Sequence, residues 1–159
     1  PTSIPPEPGA QGKRDDMTHL TTRRCGQVAV GDKLPPLKID ITSGLIIGGA
    51  IASRDFTPVH HDKAAAQAGG LPDVFMNILT SYGLMGRYVT DWCGPESTIK
   101  RLDLKLGAPN LPGFVMTITG EVATRDDAAG TIDIAVTGDN NVWGTHMSGT
   151  VRVALPKEG

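Results

Sequence analysis

Residues 74–90 contain no proline and a single charged side chain, Arg87. Phe75, Ile78, Leu79, Tyr82, Leu84, Met85 and Val89 are their apolar positions. Wound as a helix they cover most of its circumference, and a helix that is apolar nearly all round is buried. Gly83 and Gly86 weaken such a helix intrinsically but let a sheet come close. The run 92–95, Trp-Cys-Gly-Pro, ends it. The chain beyond residue 97 has another period. Segments 98–106, 114–124, 131–138 and 145–155 are strand-length, β-branched and alternating. Segments 107–113, 125–130 and 139–144, rich in Gly, Pro, Asp and Asn, separate them. Short turns between strands imply antiparallel pairing. One buried helix followed by an antiparallel meander is an α+β layout, a single sheet wrapped around its helix.

At 159 residues and 16.7 kDa the chain fits one domain with a sizeable core. Residues 1–24 are Pro, Gly, Thr and charge; they have little to bury and are expected to stay flexible or lie along a surface. Met17 is one candidate for a native start, with 1–16 an added or upstream extension; His19 is assigned no role. The segment lacks the apolar stretch of a signal peptide. Residues 25–159 make the domain. Segment 28–36 reads as an entry strand and turn, and 37–42 as a half-buried strand. Segment 45–52, apolar with two glycines, fits strand or helix. Asp62 is a fitting N-cap for a short helix over 63–68, and 69–73 is a turn. A net charge of −2, from 15 basic and 17 acidic residues, gives no sign of nucleic-acid binding. No apolar run reaches the roughly 20 residues that cross a membrane. Two cysteines far apart, with no CxxC pair, suit a reducing cytoplasm.

The chemistry gathers in 53–62, Ser-Arg-Asp-Phe-Thr-Pro-Val-His-His-Asp. As a helix, this stretch would hold Asp55 and His60 about 140° apart. Pro58 forbids the helix, since it removes an N–H and pushes Thr57 out of the α region. Asp55 to Val59 is then a turn, and the carboxylate and imidazole can converge on one water as an acid–base pair. The plainer readings are an Asp that caps its own turn and a His that is merely solvated. His60, His61 and Asp62 offer no zinc-like ligand spacing, so no metal is expected.

The pattern Asp-Phe-Thr-Pro-Val-His, followed by His-Asp and alanines, resembles the signature of the MaoC-like (R)-specific enoyl-CoA hydratases. That signature reads Asp-x-Asn-Pro-hydrophobic-His, with an alanine soon after. The stretches 75–80, Phe-Met-Asn-Ile-Leu-Thr, and 87–95, Arg-Tyr-Val-Thr-Asp-Trp-Cys-Gly-Pro, look like the small hotdog subunits of actinobacterial steroid side-chain hydratases. The likeness covers roughly residues 30 to 155. It departs at Thr57, where the family has Asn, so that the orienting amide is missing, and at Met76-Asn77, where many relatives have His-Gly.

The resemblance implies a hotdog fold and addition of water across the 2,3-double bond of a 2-enoyl-CoA, with Asp55 and His60 holding the water. It places Asn77 at the oxyanion donor position through its backbone N–H, and Thr57 and Phe75 with it against the substrate. Cations should meet the CoA phosphates, and Lys100, Arg101 and Lys105 are the first candidates, with Lys63 and Arg87 as others. No cofactor is implied, because coenzyme A is part of the substrate. Partners would be the acyl-CoA and a second hotdog chain, in a homodimer or a heteromer, in the cytoplasm. The competing readings are a general medium-chain hydratase, a hotdog thioesterase and a noncatalytic acyl-binding subunit. A thioesterase commonly carries a carboxylate in its central helix, and 74–90 has none.

Overall fold

A computed structural model describes residues 21–157. Residues 1–20, most of the segment expected to be flexible, and Met17 and His19 with it, lie outside the described residues. In chain order the elements are β1 (Lys33–Asp40), α1 (Ser43–Ala52), α2 (Lys63–Ala68), α3 (Ile78–Cys93), β2 (Thr98–Leu106), β3 (Val115–Asp126), β4 (Thr131–Asn140) and β5 (Gly144–Ala154). One antiparallel sheet takes all five strands in the order β1-β3-β4-β5-β2. Alternate residues of β3, β4 and β5, among them Met116, Ile118, Ile132, Ile134, Met147 and Val151, are buried and face α3.

The α+β layout holds, but the path differs from a simple meander. β2 pairs with β5, not with β3. The link 107–114 is no hairpin turn; it crosses an end of the sheet. Gly107 and Ala108 donate to the carbonyls of His146 and Thr145 in β5, and Gly113 donates to Ile41 after β1. Within it, Asn110 and Leu111 are buried. Strand length and turn composition do not carry the order of strands, because a link can be turn-rich and still span the sheet. On the opposite edge, β1 takes in Pro35 and Pro36, which sequence alone assigns to a turn. An edge strand tolerates prolines on its unpaired side, and the register with β3 shifts there, between Leu34 and Leu37.

α3 starts four residues later than its apolar run (Ile78 against Val74), because Asn77 caps it: its Oδ1 accepts from Thr80 N at 3.0 Å. Residues 74–76 stay outside the helix. Their bonds run to other segments: Phe75 N to Val59 O and Met76 N to Asn110 O. Only one face of α3 is buried, at Ser81, Met85, Tyr88, Val89 and Cys93. Ile78 and Leu79 are 47% and 51% exposed, so the helix is half-wrapped rather than enclosed. Gly94 ends it at φ +95°, where the Thr22 backbone crosses so closely that a side chain would strike it. Residues 21–24 lie along this end, with Arg23 N bonded to Cys93 O and the Arg23 guanidinium over the Trp92 ring at 4.3 Å.

Segment 45–52, open between strand and helix in the sequence, is helical. Thr42 Oγ1 caps α1 by accepting from Leu45 N. The close approach assigned to Gly83 and Gly86 occurs elsewhere. Gly83 has open space around it and Gly86 makes ordinary contact with Ile99, whereas Gly49 of α1 lies against Thr80 of α3. A Cβ at 49 would run into Thr80 Oγ1 and Cγ2. Gly49→Ala should therefore destabilise the fold by about 1–3 kcal/mol, although alanine is the better helix former. Thermal unfolding checks it: an unchanged or raised Tm would show that the two helices separate freely.

Candidate active site

α1 ends in a tight reversal that aims Asp55. Arg54 N donates to Ile51 O and Asp55 N to Ala50 O, with Arg54 in the left-handed region at φ 59°. This pair of bonds is the Schellman arrangement, in which the left-handed position is usually glycine. Three residues on, Pro58 opens a short 3-10 turn, Pro58–His60. Asp62 then caps α2 by accepting from Ala64 N and Ala65 N. Backbone and caps hold the whole stretch.

Within it the carboxylate and imidazole converge. His60 Nε2 stands 3.4 Å from Asp55 Oδ2. His60 is buried, not solvated, with its ring edge-on to Phe75 at 4.8 Å between centroids. His60 Nδ1 lies 2.7 Å from the Phe75 carbonyl. A carbonyl only accepts, so Nδ1 carries a proton, and the ring turns its other nitrogen, Nε2, toward Asp55. When Nε2 carries no proton the two atoms are both acceptors and cannot bond directly, and a water set beside the pair can donate to both. His61 is exposed, and among the described residues its side chain bonds neither Asp55 nor His60.

Each oxygen of Asp55 has a separate task. Oδ1 accepts from Thr57 Oγ1 at 2.7 Å and from Thr57 N at 3.3 Å. That is the self-capping turn of the plainer sequence reading. Oδ2 accepts from Asn77 Nδ2 at 3.1 Å and faces His60. The amide that Thr57 lacks thus arrives from residue 77. The Thr57 hydroxyl first, then the Asn77 amide, hold the Asp55 carboxyl below the usual carboxylate range, against its partial burial. Asn77 Nδ2 also donates to Ser53 Oγ at 2.8 Å. The side chain of Asn77, and not only its backbone, therefore belongs to the site. Among the described residues the N–H groups of Asn77, Ile78 and Leu79 have no acceptor, as expected at a helix start.

The other candidates scatter. Lys100, Arg101 and Lys105 are exposed on β2, and Arg101 already pairs with Asp103 at 2.6 Å. Lys105 lies near the level of Tyr82, whose hydroxyl bonds Leu104 O; Lys100 lies farther along, beside Ile99, which touches Gly86. Lys63 pairs with Asp73, and Arg87 with Asp91. Arg54, overlooked in the sequence, is exposed, precedes Asp55 in the chain and has no ion-pair partner among the described residues. Also overlooked is His146, buried against Ser81. Around the pair stand exposed apolar side chains: Phe56 (66%), Ile51 (59%), Leu79 and Ile78. A cavity of about 670 Å³ lies at the far end of α3, lined by Arg23, Leu37, Tyr88 and Trp92, and contains none of these residues. Among the described residues no three metal-ligating side chains gather.

Removing the Thr57 hydroxyl tests the electrostatics. A folded-state pKa held low gives stability that is present above the ordinary carboxylate range and is lost as pH falls through the folded value. In Thr57→Val the Asp55 titration, followed by 13C NMR, should move up. Thr57→Asn should keep it low. An unmoved titration in Thr57→Val would assign the shift to Asn77 and the Thr57 backbone N–H.

No family model matches the chain. The β subunit of 3-oxo-4,17-pregnadiene-20-carboxyl-CoA hydratase from Mycobacterium tuberculosis is 44% identical over 126 residues, which make up 79% of this chain and 95% of the relative. In the crystal structure of the ChsH1–ChsH2 complex from the same organism, a chain with 43% identity superposes with a TM-score of 0.77, covering 80% of this chain and 98% of that one. The (R)-hydratase PhaJ1 of Pseudomonas aeruginosa, at 20% identity, shares the fold with a TM-score of 0.77 over 85% of this chain and 86% of its own. Sequence signature, sheet-and-helix architecture and these relatives agree, and the chain belongs to the MaoC-like hotdog hydratases, beside the mycobacterial steroid side-chain enzyme.

Proposed function

We propose that the chain adds water across the 2,3-double bond of a steroid side-chain 2-enoyl-CoA, with Asp55 and His60 as its acid–base pair. The observation that carries this reading is the approach of His60 Nε2 to Asp55 Oδ2, 3.4 Å apart, and neutral His60 would make both atoms acceptors. A water donating to both presents its oxygen lone pair to C3. As the C3–O bond forms, the pair takes one proton from the water. The π electrons pass to the thioester oxygen, which gains negative charge. The free N–H groups at the start of α3, with its positive dipole end, suit that oxygen. The proton then goes to C2, and the pair returns to its starting state. No cofactor enters, since coenzyme A belongs to the substrate. Thr57 and Phe75 act by holding Asp55 and His60, and Arg54 joins Lys105 as a cation for the CoA phosphates.

The steroid acyl group rests on the named relative and on the short connection between His60 and Val74. That connection is one small helix and a turn, with little material to cover a tunnel. The thioesterase reading loses its carboxylate: the one acid in α3, Asp91, sits in the last turn and pairs with Arg87. The exposed Ile51, Phe56, Ile78 and Leu79 support a second hotdog chain as partner, since burying such a side chain contributes roughly 1.5–3 kcal/mol. Two free, buried cysteines agree with a cytoplasmic setting.

Asp55→Asn and His60→Ala should each lower hydration roughly 100-fold with the fold intact, and His61→Ala should be mild. The readout is loss of the conjugated thioester without release of thiol; thiol release would mark a thioesterase. Near-normal turnover by a folded variant of either residue would remove it from the pair. For the substrate and partner, kcat/KM on a steroid enoyl-CoA should exceed that on crotonyl-CoA and rise when a second hotdog chain is co-expressed. Preference of the isolated homodimer for crotonyl-CoA would replace the steroid reading with the general hydratase.

A further inference from the structure

Opposite the Asp55 carboxylate, the first turn of α3 has a second anchor that the hydration scheme does not use. Ser81 Oγ lies 2.8 Å from His146 Nε2, and His146 Nδ1 lies 2.7 Å from the Ala108 carbonyl. Ser81 is 0% and His146 3% exposed. The Ala108 carbonyl can only accept, so Nδ1 carries a proton. Burial favours the neutral ring, which leaves Nε2 as an acceptor, and the single Ser81 hydroxyl proton goes to it. That matters for the helix. Ser81 Oγ also stands 3.2 Å from the Asn77 carbonyl, the carbonyl that accepts Ser81 N in the first helical bond. A serine hydroxyl that turns back on its own helix competes for that carbonyl and bends the turn. Here His146 draws the proton away. α3 is thus fastened on both sides of one turn: through Asn77 to Ser53 and Asp55, and through Ser81 to β5 and the crossing link.

We infer that Ser81 and His146 are positioning residues for the hydration, acting through Asn77 on Asp55 and on the free N–H groups of the same turn. The inference rests on the proposed acid–base pair. Neither residue touches substrate; both fix where the donors and the carboxylate stand relative to each other. A displacement of about 1 Å in such an arrangement is enough to cost on the order of 100-fold in rate.

Three variants separate positioning from packing. Ser81→Ala removes the donor. His146→Leu removes the acceptor, and His146→Gln keeps an acceptor near Nε2 while losing, like leucine, the proton given to Ala108. The measurements are kcat, KM and the pH profile on the enoyl-CoA that the wild type hydrates, together with a 13C titration of the Asp55 carboxyl. The groups facing that carboxyl are Thr57, Asn77 and His60. Ser81→Ala and His146→Leu should lower kcat about tenfold or more with KM within about threefold, and raise both the acid limb and the Asp55 titration. His146→Gln should stay within about threefold of wild type. Folded variants with wild-type kcat and an unmoved Asp55 titration would overturn the inference, as would a glutamine variant as impaired as the leucine one. If His146→Leu does not fold, Ser81→Ala decides alone. If the wild type hydrates no enoyl-CoA, the proposed function fails, while the carboxyl titration still decides the positioning.

Discussion

The Asn77 side chain holds the helix and the site to one geometry. Its carbonyl oxygen starts α3 by accepting from Thr80, while its amide nitrogen donates to Ser53 and Asp55. A lone capping residue would satisfy one helix donor; its loss would cost about 1 kcal/mol. Here the same side chain also sets the height of α3 against α1, and the close fit of Gly49 on Thr80 depends on that height. The position of the carboxylate and that of the free helix N–H groups cannot then vary independently. For a reaction that must hold a water at one point and stabilise an oxygen at another, this rigid link is the useful property.

Much of this was legible in the residues, and the parts that were not have physical reasons. Pro58 alone excludes a helix through the motif, and Asp62 before an alanine run is a cap in both readings. The helix start was not legible. Val74–Met76 continue the apolar pattern without a break, and it is bonds to distant acceptors, Val59 and Asn110, that hold them out of the helix. The strand order was hidden for a similar reason: whether 107–114 turns back or crosses the sheet depends on contacts with β5 and Ile41. His146 was missed because one histidine in an alternating strand looks like an ordinary polar position. What marks it is burial against Ser81, a residue of another element.

Arg54 shows how firmly the local backbone is held. A non-glycine residue in the left-handed region costs roughly 1–2 kcal/mol. It persists where the surroundings over-determine the conformation, as they tend to do beside functional groups. The surroundings here are explicit: the reversal bonds to Ile51 and Ala50 behind it, and Thr57 and the Pro58 turn ahead. Glycine at 54 would relieve the strain but widen the conformations open to Asp55.

The departure at Thr57 now has a physical account. A carboxylate that is to hold a water needs its remaining lone pairs occupied by donors, or it will swing toward solvent. A single amide at position 57 could satisfy one oxygen. In this chain the work is divided: Thr57, two residues away, takes Oδ1 by hydroxyl and backbone together, and Asn77, from the start of α3, takes Oδ2. Because the second donor comes from another element, the carboxylate is oriented relative to the helix as well as to its own loop. Asn77 uses one lone-pair direction of Oδ2 and leaves another open on the side of His60 Nε2, where the water of the proposed reaction would sit.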